Sequence, residues 1–374
     1  MAPLGIDGFL PATTAAAAAL GTDAAGIQVT LGAFTLGFAA GQLVHGSLSD
    51  RIGRRRTLLG ALAVMVAASL GAAWAPSLDA LVAWRVLQGL AAASGMTISR
   101  AVVRDLFDRE HAARLMSYMT MVSGIGPILF PMIGGLLAVE FGWRSVPLFA
   151  AVYVGLAALC FAFVVPETNE RLDPDAFSPS AMFLAWRTAL ADRTFRHYLA
   201  CNCCGNIGLF AFLAASPKVV MTTIGASPEE YGVYFAATTM FFSVGALMSG
   251  RFVGRFGIDA LVRVGAFITL AAGLIVAGLA LQGAVTVLAV MAPVALFLAG
   301  YGVLVPSATA GALMPFPHIA GAASSVMGLT QQCAAAATTF VVALAGASQA
   351  AMAAAILVSG LALVALALRP KRVV

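Results

Sequence analysis

The chain has 374 residues, of which 61% are hydrophobic and only 10% charged. A soluble globular domain is nearer half apolar and about a quarter charged, so the composition excludes a soluble protein and fits roughly a dozen membrane spans of about 20 residues. The formal charge of +5 does not indicate nucleic acid, because the basic residues are spread over alternate loops rather than gathered on one folded face.

Apolar segments of spanning length lie near 1–20, 26–48, 57–76, 79–99, 114–139, 144–165, 196–220, 230–250, 260–281, 285–313, 319–344 and 348–368. They lack the ten-residue alternation of a membrane barrel, and only helices or closed barrels satisfy the backbone in lipid. The fold class is therefore an all-α membrane protein of twelve helices. Of the 21 Lys and Arg, Arg85 falls inside the fourth span, and Arg144 and Lys218 follow odd-numbered spans; the rest follow even-numbered ones. Cytoplasmic loops carry the Lys/Arg excess, which puts both termini in the cytoplasm.

The polar interval PETNERLDPDAFSPS divides two groups of six helices. The expected organisation is a bundle over 1–165, a cytoplasmic linker over 166–195 and a second bundle over 196–374. GSLSDRIG from Gly46 and GRFVGRFG from Gly250 each follow the second helix of their half. Aligned, they pair Gly46 with Gly250, Arg51 with Arg255 and Gly53 with Gly257, an offset of 204 residues that points to duplication. Parallel repeats with a site between them are a known transporter architecture.

Intramembrane ionisable groups mark ion or proton pathways by default. Asp7 lies in the first span, and Arg85 with Gln88 in the fourth, within LVAWRVLQGLAAASG. Arg holds its proton under ordinary conditions, whereas a buried carboxyl group can exchange one, so Asp7 is the expected proton carrier and Arg85 the fixed charge that tunes it. The plain alternatives are that Arg85 ties helices together through backbone carbonyls and that Asp7 is solvated near the chain start. The loop GSLSDRIGRRR sets Asp50 among Arg51, Arg54, Arg55 and Arg56, a network able to form and break between helix ends as well as a positive-inside anchor. In the fifth span SGIGPILFPMIGG carries Gly126, Pro127, Pro131, Gly134 and Gly135, which suits kinked, closely packed helices in a bundle. The cysteines of ACNCCGN lack the accompanying ligands of a metal site and are expected to be packing residues. No metal or cofactor is expected, and no catalytic Ser/His/Asp set or phosphate loop indicates an enzyme.

These motifs resemble the major facilitator superfamily, specifically the bacterial drug:proton antiporters of the bicyclomycin and chloramphenicol resistance type. The resemblance covers nearly the whole chain. Gly46, Asp50, Arg51, Gly53, Arg54 and Arg55 match the superfamily's loop motif between helices two and three. Arg85-Val-Leu-Gln88-Gly89 matches the fourth-helix motif, whose arginine is implicated in proton coupling. Pro131-Met-Ile-Gly134-Gly135 matches the fifth-helix antiporter motif, with Phe130 where glycine is usual and Gly126-Pro127 one turn earlier. LGIDGFLPA is similar to the first-helix signature, and SPK at Ser216 and PFPHIAGAASS from Pro315 resemble landmarks of the second half.

The resemblance implies two pseudo-symmetric six-helix bundles exporting small amphipathic drugs from the bacterial inner membrane in exchange for protons, as a monomer. Phe34, Met119, Phe210, Tyr234 and Phe241 are the expected pocket residues, chosen for aromatic or Met character and depth. A dedicated exporter of a sugar, nucleoside or amino-acid derivative is the alternative. At about 1.5 Å per helical residue, six residues span only roughly 9 Å before Asp7; the first two or three turns of helix one are therefore expected to be missing from this sequence.

Overall fold

A computed structural model describes residues 2–106, 109–169, 172, 179–316 and 320–368. Every regular element among them is helical, and the chain divides into two compact units, Met1–Ala181 with Pro228–Gly232, and Met182–Ser227 with Val233–Val374. In chain order the first unit holds α1 (Ala2–Ile6), a 3-10 turn (Leu10–Ala12), α2 (Thr13–Ala19), α3 (Ala24–Ile52), α4 (Arg54–Ala73), α5 (Leu78–Leu106), α6 (Arg109–Phe141) and α7 (Ser145–Val164). After α8 (Pro179–Ala191) come α9 (Arg193–Pro217), a π-helical turn (Lys218–Thr223), α10 (Pro228–Leu281), α11 (Val287–Leu313), α12 (Ala320–Leu344) and α13 (Gln349–Ala367).

Nine described helices are long and apolar enough to cross a membrane. One of them, α10, is two spans joined at Gly257, whose φ of 78° and ψ of 166° interrupt the helix. With the first segment, broken into α1 and α2, and the shorter apolar stretch Ile125–Phe141 of α6, the architecture is that of a twelve-helix membrane protein. The interval expected as a linker is not wholly irregular. α8 forms within it because AMFLAWRTALA joins good helix formers to an apolar face. The landmark beginning at Pro315 falls partly outside the described residues.

Helix starts follow local chemistry. Asp23 accepts from the Gly26 amide at 2.7 Å to open α3, and Asp192 accepts from Phe195 N at 2.8 Å to open α9; such caps satisfy amides that the helix leaves free. In the first unit, α3 and α5 cross with backbones nearly touching. A Cβ at Gly37 would lie 2.0 Å from the Val86 carbonyl oxygen, and one at Gly89 would lie 1.9 Å from that of Phe34. In the second unit, α9 is central, and Phe195, Tyr198 and Leu199 pack with Leu304, Ala308 and Ala323 of α11 and α12. Apolar side chains such as Leu156, Leu159 and Phe163 on α7 stay exposed, as a lipid-facing surface requires.

The duplication is written in the backbone. Gly53 (φ 105°) and Gly257 (φ 78°) both adopt the left-handed region, as do Gly21 (φ 65°) with Gly225 (φ 91°) and Gly142 (φ 77°) with Gly346 (φ 78°). Each pair is 204 residues apart (257 − 53, 225 − 21 and 346 − 142). Glycine is the default residue for that conformation, so each half turns at the same three places.

Candidate functional site

The first membrane segment breaks at its acid. Pro11 has no N–H to continue a helix, and the chain over IDGFLPA tightens into turns. Asp7 N and Gly8 N both donate to Pro3 O, at 2.8 and 3.2 Å; Phe9 N donates to Ile6 O at 3.2 Å, and Leu10 N to Asp7 O at 3.3 Å. An unbroken helix would send the Phe9 amide to Gly5 O. That carbonyl is freed instead, and Arg85 of α5 reaches it, Nη1 donating at 2.6 Å.

Arg85 and Gln88 are both buried. The same Nη1 donates to Gln88 Oε1 at 3.0 Å, and Gln88 Nε2 donates to Ser69 Oγ of α4 at 2.9 Å. The guanidinium lies 5.0 Å from the Phe9 ring centroid and 4.7 Å from that of Phe34, so aromatic faces stand where a counter-ion would be expected. Asp7 is buried at 8% exposure, and the two ion pairs among the described residues both belong to Arg54. Arg85 therefore meets the backbone two residues before Asp7 and not its carboxylate. The helix-tying alternative describes its bond correctly, but the tie is to the broken turn that carries the acid.

The glycines of α6 let that turn approach. A Cβ at Gly134 would lie 2.0 Å from Gly8 O, and one at Gly126 would lie 3.0 Å from Pro3 Cβ. Pro127 and Pro131 sit within α6 without ending it, and Gly135 is buried beside Gly134.

At the turn between α3 and α4, Arg54 pairs with Asp50, donates through Nε to Asp105 Oδ2 at 3.1 Å, and through Nη1 to Ser49 Oγ at 2.6 Å. Arg55 Nη2 donates to the Ala162 carbonyl at 2.6 Å, Arg51 points outward, and Gly46 lies 3.8 Å from Thr97 by its would-be Cβ. Sequence reasoning missed the organising group, Glu167, which stands just past α7. Its Oε1 accepts from the amides of Arg54 (2.8 Å), Thr168 (3.0 Å) and Asn169 (3.1 Å), and Oε2 accepts from that of Arg55 (3.2 Å). Asn169 Nδ2 adds a bond to Asp50 O at 3.1 Å. Burial raises the Glu167 carboxyl, but the four backbone donors outweigh it and hold the group below its ordinary value of 4.5. The one available signal was a carboxylate directly after a span, in a chain whose nearest loop holds four arginines.

Of the expected pocket residues, Phe34 and Met119 belong to the first unit and Phe210, Tyr234 and Phe241 to the second. Phe34 is fully buried beneath Arg85, and Phe210 is buried, whereas Tyr234 is half-buried, Phe241 is 44% exposed and Met119 is half-buried on α6. In the second unit the buried polar groups are others: Asn206 Nδ2 donates to Gln331 O at 2.7 Å, Tyr301 OH donates to Asn206 Oδ1 at 3.3 Å, and Tyr198 OH donates to Asp259 at 2.6 Å. Cys201 is buried and Cys203 and Cys204 half-buried; no cluster of three or more metal-ligating side chains occurs among the described residues.

Known proteins resemble this chain in sequence and in fold. The profile of the Major Facilitator Superfamily matches residues 1–339. "Multidrug resistance protein D" of Escherichia coli (strain K12) is 31% identical over 86% of this chain and 80% of its own length. The "Chloramphenicol resistance protein" of Pseudomonas aeruginosa is 30% identical over 87% of this chain and 77% of its own. Among solved structures, a D-xylose-proton symporter superposes with a TM-score of 0.75 at 17% identity, covering 98% of this chain and 93% of that one; at that identity it speaks for the fold alone. The chain belongs to the Major Facilitator Superfamily, and it is a membrane transporter and not an enzyme.

Proposed function

We propose that this transporter exports small amphipathic drugs across the bacterial inner membrane in exchange for protons, by alternating access between a bundle over 1–165 and a bundle over 196–374. Both termini lie in the cytoplasm, and the protein acts as a monomer. The observation that carries the reading is the acid-bearing break of the first segment, clasped by Gly134 of the antiporter motif on one side and by Arg85 on the other. The relatives named for multidrug and chloramphenicol resistance support drugs as the cargo.

In this mechanism Asp7 holds a proton at the end of the cycle that faces outward. Inward opening exposes the turn to the cytoplasm, where the proton leaves and substrate binds. Exchange follows if proton and substrate each favour one of the two global states by their differential affinity. Arg85 keeps the Gly5 carbonyl, and with it the turn over residues 7–9, in one orientation through the change. The loop network of Asp50, Arg54, Asp105 and Glu167 is a set of bonds able to bias one state over the other.

The test is efflux of radiolabelled chloramphenicol from proteoliposomes under an imposed proton gradient, wild type against Asp7→Asn. The expected result is gradient-dependent efflux in the wild type and its loss in the variant. Undiminished gradient-driven exchange in Asp7→Asn would remove Asp7 from the mechanism.

A further inference from the structure

Inside the first unit, a cavity of about 10 Å³ is lined by Arg85, Gln88 and Gly5 together with apolar side chains that include Phe9, Ala72 and Ala150. Holding one water takes roughly 10–15 Å³, so the space is of the size of a single water and far too small for a drug. Arg85 is 3% exposed, and its Nε–H has no hydrogen-bond partner although that atom is buried. Leaving a buried charged donor unmade is costly, and five N–H donors on one guanidinium exceed what Gly5 O and Gln88 Oε1 can accept.

We infer that this cavity is a binding site for one buried water, which accepts from Arg85 Nε and donates to the second lone pairs of Gly5 O and Gln88 Oε1. Three polar partners are what a retained internal water usually has. The water is part of the clasp on the broken turn: it keeps the guanidinium in place over Phe9 and Phe34 and so fixes the carbonyl two residues before Asp7. Arg85 and the water are positioning groups, and the proton is carried by Asp7. The inference rests on the coupling role proposed above for its consequence in transport, and on the cavity alone for the site itself.

Two measurements test it. In a density map of the full-length wild type at better than about 2 Å resolution, a peak within hydrogen-bond distance of Arg85 Nε is expected, and its absence overturns the site. The second compares Ala150→Val, which fills the cavity with methyl groups, and Ala150→Ser, which offers a hydroxyl in the water's place. Val is expected to slow gradient-driven chloramphenicol exchange about tenfold and Ser to stay within about twofold of wild type, because only Val leaves the Nε–H without a partner. Gradient-independent counterflow serves as the control that both variants are folded and bind substrate. Equal rates for the two variants with counterflow intact overturn the positioning role. A wild type that shows counterflow but no gradient dependence refutes proton antiport, and the map then decides the site on its own. If Ala150→Val does not fold, the map again decides.

Discussion

Replacing Glu167 with Gln changes one atom and removes one charge, and the structure gives the size of the effect. The carboxylate satisfies the first two amides of α4 and the two that follow it in its own segment. Gln keeps an acceptor for the Oε1 set but turns an NH₂ toward the Arg55 amide, so one donor loses its partner. Loss of an N-terminal helix cap costs about 0.5–2 kcal/mol, and loss of the charge at the positive end of the helix about 0.3–1 kcal/mol. Glu167 is exposed, so the sum belongs near the lower end, at about 1–2 kcal/mol. Hydrogen exchange of the detergent-solubilised protein reads this directly, since every 1.4 kcal/mol is a factor of ten in opening. Protection of the Arg54 and Arg55 amides is expected to fall about five- to thirtyfold, with the α9 amides unchanged. The pH sense is fixed as well. The folded carboxyl titrates below its ordinary 4.5, so its contribution is whole above that value and lost as pH falls through the lower folded value. Wild-type protection at Arg54 should thus be insensitive to pH between 6 and 8 once intrinsic exchange is divided out. Unchanged protection in Glu167→Gln would refute the clamp.

Three further outcomes follow. Arg85→Lys keeps the charge and a donor but loses the planar guanidinium that lies over the Phe9 and Phe34 rings; gradient-driven efflux is expected to fall at least tenfold with chloramphenicol binding retained, as judged by equilibrium dialysis. Gly134→Ala drives a methyl into the Gly8 carbonyl, an overpacking that costs about 1–3 kcal/mol, seen as a lower melting temperature and slower efflux. Tyr198→Phe removes the bond to Asp259 and should cost about 1 kcal/mol in thermal stability, with efflux within twofold of wild type.

Much of the fold was legible because its signals are local. Apolar length marks a span, and the match of Gly53 with Gly257 pointed to the duplication that the paired backbone turns display. Asp7 stood out for the same reason, a charge in an apolar run. What escaped depends on distance or direction. Glu167 lies 113 residues beyond Arg54, and no pattern within a window ties a carboxylate to amides that far upstream. That the Phe34 ring meets Arg85 was not legible either, because apolar character says nothing of which neighbour a helix face meets. The break at Asp7 could be suspected from Pro11, yet the partner of the freed carbonyl could not.

The paired left-handed glycines also supply an internal control. Gly21, Gly142, Gly225, Gly257 and Gly346 have open space where a Cβ would go, so alanine at any of them meets only the backbone penalty of about 1–2 kcal/mol. Gly53 alone has the Glu167 carboxylate there, 2.3 Å from the would-be Cβ. A mutational scan of the chain should therefore show doublets of similar depth at a spacing of 204 residues, with one unequal pair. The excess of Gly53 over Gly257 in that scan measures, within a single molecule, what one half of the duplication acquired and the other did not.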